Sequence, residues 1–265
     1  MSLNFNFLSR ERDWRYFTDL VFQKAWAGLR AEAARGYLGV VWWVLEPVVY
    51  MTVFYIVFVL VFKRGDENFI LFLLTGLITW KWFNTTINTG SNSILNSSGL
   101  MSQVYLPKIV FPLTTVVINT FKFLIIFILF LVFLQFTSIK PSLTWVLLPV
   151  ILLSQLLLIT AVTSLLAAIM PFFPDMRFIM DNVLMMMLFI SGIFYNVDKL
   201  PAKVKVFFFL NPMAALIVIY RKILIHGALP NWYHLLYITS FSLLVLFIAL
   251  WLLRRFDRIY PKIIH

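Results

Sequence analysis

Four ionisable side chains interrupt long apolar runs and are the first candidates for chemistry: Glu46, Lys81, Lys122 and Asp181. A charge at membrane depth is costly, so it faces a bundle interior or a wet path. There, Lys81 and Lys122 would favour an anionic or hydroxyl-rich cargo. Alternatively, Glu46 or Asp181 pairs with a lysine, or the lysine stems snorkel to an interface. Trp80 and Trp82 flank Lys81, and Trp42, Trp43, Tyr195, Trp232 and Tyr233 lie near the ends of apolar runs. Such rings either form an interfacial aromatic belt or offer stacking faces to sugars, with Trp82 and Tyr195 as the stacking candidates.

Other chemistry is missing from the sequence. None of the nine glycines belongs to a phosphate-cradling loop that ends in Lys-Ser or Lys-Thr. His226, His234 and His265 form no helical zinc pair, and no glycine-flanked nucleophile serine occurs. No aspartate pair separated by one residue is present, so a glycosyltransferase metal site is not expected. Catalysis by this chain is not expected. A chain that moves cargo uphill needs an energy source, and this sequence offers no nucleotide site of its own.

The elements that must position these residues follow from composition. Of 265 residues 62% are apolar and 12% charged, with a mean hydropathy of +0.93. A soluble chain is about 45–50% apolar and roughly 25% charged, so the excess places the chain in a bilayer and excludes a soluble enzyme or a disordered tail. Absence of cysteine excludes a disulfide scaffold. The net charge of +11 is expected to meet lipid headgroups, not nucleic acid.

A bilayer core about 30 Å thick needs roughly 20 apolar residues per helix. Six runs qualify, near Val40 to Phe62, Phe69 to Leu95, Val110 to Phe136, Leu143 to Met170, Phe178 to Phe194, and Tyr233 to Leu253. The polar half of the second, Asn84 to Asn96, predicts an early exit from lipid or a helix that faces protein. The fold expected is all-α and polytopic, with six transmembrane helices between residues 40 and 253. An even number places both termini on one side. Basic residues in segment 1–39 and in tail 254–265 (Arg254, Arg255, Arg258, Lys262) make that side cytoplasmic. Five basic residues from Lys199 to Lys222 count against this orientation. Arg10, Glu11, Arg12, Asp13 and Arg15 occupy the place of a signal peptide's oily core, so no cleaved signal is expected.

Three shorter stretches carry further expectations. In residues 14 to 29, Trp14, Phe17, Val21, Phe22, Ala25, Trp26 and Leu29 share one helical face. That face rests in the headgroup plane or packs on neighbouring protein. Residues 96 to 109 form a small turn with Pro107 beside Lys108, where a soluble partner could push. Between spans five and six, Val204 to Leu210 and Met213 to Ile225 are each too short to cross, and Asn211-Pro212 breaks them. They predict a re-entrant helical hairpin over a polar passage, or else two surface helices on an interfacial loop.

Residues 34 to 58 (ARGYLGVVWWVLEPVVYMTVFYIVF) and 73 to 113 (LLTGLITWKWFNTTINTGSNSILNSSGLMSQVYLPKIVFPL), with the turn Tyr105, Leu106, Pro107, Lys108, are similar to permease subunits of ATP-binding-cassette type 2 polysaccharide exporters. IFYNVDKLPAKVKVFFFLNPMAALIVIYRKIL also resembles that family's gate region. Lys81 departs from the family pattern, where a small polar residue is more usual.

The resemblance implies a homodimer with a channel between its copies. It also implies two ATPase subunits and a polysaccharide on undecaprenyl diphosphate that crosses the inner membrane. It makes the segment holding Trp14, Phe17, Phe22 and Trp26 an interface helix. Residues 97 to 108, with Leu106, Pro107 and Lys108, become a coupling helix. Residues 200 to 225, with Leu200, Pro201, Asn211, Pro212 and Arg221, become the gate. The cargo expected is O-antigen, with teichoic acid or capsule as alternatives. A channel, a small-molecule efflux permease and a glycan-modifying enzyme are the competing classes.

Overall fold

Apolar runs longer than about eighteen residues satisfy their backbone groups in hydrocarbon only by closing them into helices, and that is the secondary structure found. The computed structural model describes residues 10–35, 39, 41–57, 67–137, 139, 141–173 and 175–263, and among these there is no strand. Eleven α-helices are described: α1 (Arg10–Arg35), α2 (Val41–Tyr55), α3 (Glu67–Ser91), α4 (Ser98–Gln103), α5 (Val110–Gln135), α6 (Leu148–Ile169), α7 (Met176–Ile190), α8 (Ala202–Phe208), α9 (Pro212–Leu224), α10 (Trp232–Phe256) and α11 (Tyr260–Ile263).

Four of the described helical stretches are long and apolar enough to cross a membrane: Phe69–Ser91, Val110–Gln135, Leu143–Phe172 and Trp232–Phe256. Counting α8 and α9 as one bent span gives five. The expected first span is described only as α2 and one further turn to residue 57, and residues 58–62 lie outside the described residues. The expected fifth span is shorter than its apolar run. α7 has fifteen residues and stops at Ile190, because Ser191 leaves the helix and Gly192 turns the backbone at φ 72°. A side chain there would strike Phe208 at 2.8 Å, so only glycine fits the turn.

Contacts along the helices fix their directions. Asn119 donates to Thr89 at 3.0 Å, and Trp82 stacks on Phe123 with centroids 4.1 Å apart, so α3 and α5 are antiparallel. Gln155 donates to the Thr79 carbonyl at 2.9 Å, and a Cβ at Gly90 would lie 2.3 Å from Thr163, so α3 and α6 run together. Small residues bring these two backbones close, as membrane helices do. The polar half of α3 stays helical and faces protein. Thr86 within it, like Thr75 and Thr79 before it, is buried and returns its hydroxyl to the carbonyl one turn back.

The predicted amphipathic face on α1 divides in two. Val21, Ala25 and Leu29 are buried, whereas Phe22 and Trp26 stay 63% and 54% exposed. Phe17 is half-buried, and the side chain of Trp14 lies outside the described residues. Lys24 sits over the Phe111 ring at 4.0 Å. A Cβ at Gly28 would meet Ile118 at 2.8 Å, and Glu32 pairs with Lys122. α1 therefore climbs alongside α5 for about three turns.

Candidate functional site

Three places hold the residues singled out by sequence. The first is a cavity of about 590 Å³ bounded by α1, α2, α3, α5 and α7. Lys81, Trp82 and Lys122 all line it, together with Glu32, Trp42 and Trp43. Lys122 pairs with Glu32, 90 residues away, and lies 5.4 Å from the Trp43 ring. Lys122 thus has a partner other than the two acids expected for the lysines. Asp181 instead accepts a hydrogen bond from Asn88 at 2.9 Å, and the side chain of Glu46 lies outside the described residues. Trp82 is 4% exposed and has one ring face committed to Phe123.

Tyr195 does not join this cavity. Its hydroxyl donates to the Ile190 carbonyl at 3.0 Å, and its ring meets Phe208 edge-on at the α7–α8 turn.

The second place is the turn between α4 and α5. Asp257, just past α10, accepts from the Tyr105 hydroxyl at 2.5 Å and from the Lys108 amide at 3.2 Å. Lys108 Nζ folds back to the Leu106 carbonyl at 3.0 Å, above the Tyr105 ring. Lys108 is buried, whereas Tyr105 is 68% exposed. The Asp257 bond raises the Tyr105 pKa, with burial adding to it. Burial lowers that of Lys108 while Asp257 opposes the shift. Below them Tyr260 donates to the Ala168 carbonyl at 3.0 Å and packs against Phe172. Burial pushes its phenol pKa up. Pro107 is exposed and Leu106 half-buried, so Leu106 to Lys108 form a strap pinned from behind by the chain's tail. Lys24, midway along α1, meets Phe111 near the start of α5, and α10 ends against this strap, so both contacts lie at the same end of the bundle.

The third place is the opposite end. α8 and α9 meet at 107°, as the Asn211-Pro212 break predicts. Asn211 caps α9 by accepting from the amides of Met213 and Ala214 at 3.0 and 3.4 Å, and donates to Ser191 at 2.9 Å. Pro212 supplies the first helical residue, where a missing N–H costs nothing. α9 is buried along almost its whole length among α3, α6 and α10. The polar passage expected beneath it is not what surrounds it here; apolar core is. Leu200 is half-buried and Pro201 exposed, while α8 leaves Val204, Val206 and Phe207 exposed.

Arg221 is 4% exposed. It donates to the carbonyls of Phe72, Gly192 and Ile193 at 3.1, 2.7 and 2.9 Å and lies 3.3 Å over the Phe72 ring. Gly192 and Ile193 lie beyond the end of α7 where helical partners run out, so the guanidinium fills a need created by the turn. Glu32, Asp257 and Gly76 escaped the sequence reading. Asp257 alone left a local signal, as the single acid in the basic stretch from Arg254 to Arg258.

Comparison with known proteins gives these places a context. An O-antigen export system permease protein RfbA from Klebsiella pneumoniae is 27% identical over 237 residues, 89% of this chain and 92% of that protein. One from Myxococcus xanthus is 30% identical over 223 residues, 83% and 86% of the two chains. A polysialic acid transport protein KpsM from Escherichia coli is 25% identical over 233 residues, 85% and 89%. Residues 21–225 match the ABC-2 type transporter family. That match runs from the first buried residue of α1 to the end of α9 and takes in the cavity, the strap and the bent pair, and the chain belongs to the ABC-2 type transporter family.

Proposed function

We propose that the chain is the permease subunit of an exporter that carries O-antigen polysaccharide, linked to undecaprenyl diphosphate, across the bacterial inner membrane. The observation that carries the reading is the pair of O-antigen export permeases at 27% and 30% identity over most of both chains. Two copies form the path, and two ATPase subunits supply ATP hydrolysis with Mg. A sugar polymer cannot enter hydrocarbon, so it needs a wet route walled by protein. The polysialic acid transport relative supports capsular polysaccharide as the second cargo.

In this reading α2, α3, α5, α6, α7 and α10 are the six spans. α1 is the interface helix docked on α5, and both termini are cytoplasmic. The strap from Leu106 to Lys108 is the place where the ATPase pushes. The helices α8 and α9 form the outer gate as a re-entrant pair, with Arg221 as their anchor. Lys81, Lys122 and Trp82 face the cargo, and Tyr195 stands at the outer mouth.

The test is co-expression with a candidate partner ATPase, in cells that lack their own exporter. Surface O-antigen that appears only when both genes and ATP hydrolysis are intact is the expected result. Capsular polymer in its place moves the cargo to the second reading, and no glycan at the surface refutes both.

A further inference from the structure

A polar stripe runs down one face of α3. Lys81, Asn84, Thr85, Asn88 and Thr89 follow the i, i+3, i+4, i+7, i+8 spacing of a single helical face, and each is half-buried or exposed. Trp82, Phe83, Thr86 and Ile87, between them in sequence, are buried. The upper part of the stripe, from Lys81 to Thr85, lines the cavity, and so does Leu188 of α7. Asn88 lies seven residues from Lys81, and Asp181 seven from Leu188. Each step is two helical turns along the same face and ends about 10 Å nearer the strap. There the two residues meet, with Asn88 donating to Asp181 Oδ1 at 2.9 Å. The bridge is the floor of the groove between α3 and α7.

Asp181 is exposed on α7, and among the described residues it has no ion-pair partner. A carboxylate on an apolar helix faces water or protein, not hydrocarbon. Among the described residues its second oxygen, Oδ2, accepts no hydrogen bond, and neither does Asn88 Oδ1. The Asn88 amide also keeps its second N–H. Two acceptors and one donor therefore stand side by side, the set that adjoining hydroxyls of a sugar ring satisfy.

From this arrangement we infer that Asp181, held in place by Asn88, is the residue at the inner mouth that grips sugar hydroxyls and selects neutral glycan over polyanionic glycan. The inference rests on the proposed export function and sharpens it. A sugar hydroxyl donates a charge-assisted hydrogen bond to the carboxylate, whereas an acidic sugar brings like charge against it. Asn84 and Thr85, one turn further from the strap, continue the hydrogen-bonding wall, so successive rings pass from one polar turn to the next. Asn88 is the positioning residue, and its bond fixes which oxygen of Asp181 is left for the cargo.

Two measurements on the full chain with its partner ATPase test this. In inverted membrane vesicles, ATP-driven uptake of lipid-linked polymannose is compared with that of lipid-linked polysialic acid. Asp181→Asn keeps an acceptor for Asn88, yet the neutral-to-acidic rate ratio is expected to fall about tenfold, and Asp181→Glu to restore it. A residue that merely ties α7 to α3 would leave the ratio unmoved in Asp181→Asn, and that result overturns the inference. The second measurement needs no transport. The chain has no cysteine, so Asn84→Cys reports on the groove alone. Without nucleotide or glycan, it is labelled with methanethiosulfonates that carry either a trimethylammonium or a sulfonate group. Both reagents are expected to react, and the cation-to-anion rate ratio to fall about fivefold when Asp181→Asn is added. Failure of both reagents to react means a dry groove and overturns the inference as well. Wild type that carries neither glycan, beside the expected labelling, removes the export reading alone.

Discussion

A Cβ at Gly76 would stand 2.8 Å from Arg221 Nη2, so the glycine of α3 is the opening through which the guanidinium of α9 reaches its carbonyls. Gly76→Ala is expected to destabilise the protein by about 1–3 kcal/mol through overpacking. Arg221→Lys leaves at least one of the three carbonyls unpaired, because an ammonium lacks the planar fork, and costs about 3 kcal/mol. Thermal unfolding of the detergent-solubilised protein measures both. Equal stability of Arg221→Lys and wild type would show that the three hydrogen bonds carry no weight.

Asp257 reaches the strap with two oxygens, and its replacement by alanine frees both Tyr105 and Lys108. Export per ATP hydrolysed should fall in Asp257→Ala while the ATPase alone is unaffected, with Tyr105→Phe giving a smaller loss. The folded pKa of Tyr105 is raised, chiefly by its bond to Asp257. The bond's contribution is therefore intact below the usual phenol value of about 10 and is lost as pH rises through the folded value above it. Coupling ratios measured from pH 7 upward in wild type and Tyr105→Phe check this, and an unchanged ratio in Asp257→Ala contradicts it.

Burial of Lys24 against α5 lowers its pKa to about 8. The unfolded chain holds this proton up to about 10.4, so the folded state binds fewer protons between the two values. Docking of α1 is weakest below pH 8 and gains stability as pH rises through that window. Lys24→Met should raise the melting temperature at pH 7 and flatten its rise toward pH 10. A melting curve that falls from pH 8 to 10 in wild type, with the same slope in the variant, argues against the buried ammonium as its cause.

Trp82 is already stacked on Phe123. Trp82→Ala is expected to cost about 3–5 kcal/mol through the void it leaves. Trp82→Phe keeps the stack and should keep transport. If Trp82→Phe folds normally yet loses glycan export, the ring contacts cargo as well as its neighbour.

Helix α5, α6 and α10 were legible in the sequence because an uninterrupted apolar run has one solution in hydrocarbon. The break at Asn211 was legible for a local reason too, since cap and proline act on adjacent residues. α7 fell short of its apolar run because a single glycine torsion ended it, and hydropathy does not register torsions. Partner choice was the least legible part. Lys122 meets Glu32 across 90 residues and Lys108 meets Asp257 across 149. Such pairs depend on how far one helix slides along another, which no local spacing encodes. Arg221 was found as a residue of interest, but its partners are backbone carbonyls, which carry no letter in a sequence.

Asp257 and Tyr260 fasten the last turns of the chain to two neighbours, the loop before α5 and the end of α6. A load applied at that corner would be shared by three elements, the loop before α5, the end of α6 and the end of α10, instead of falling on one alone.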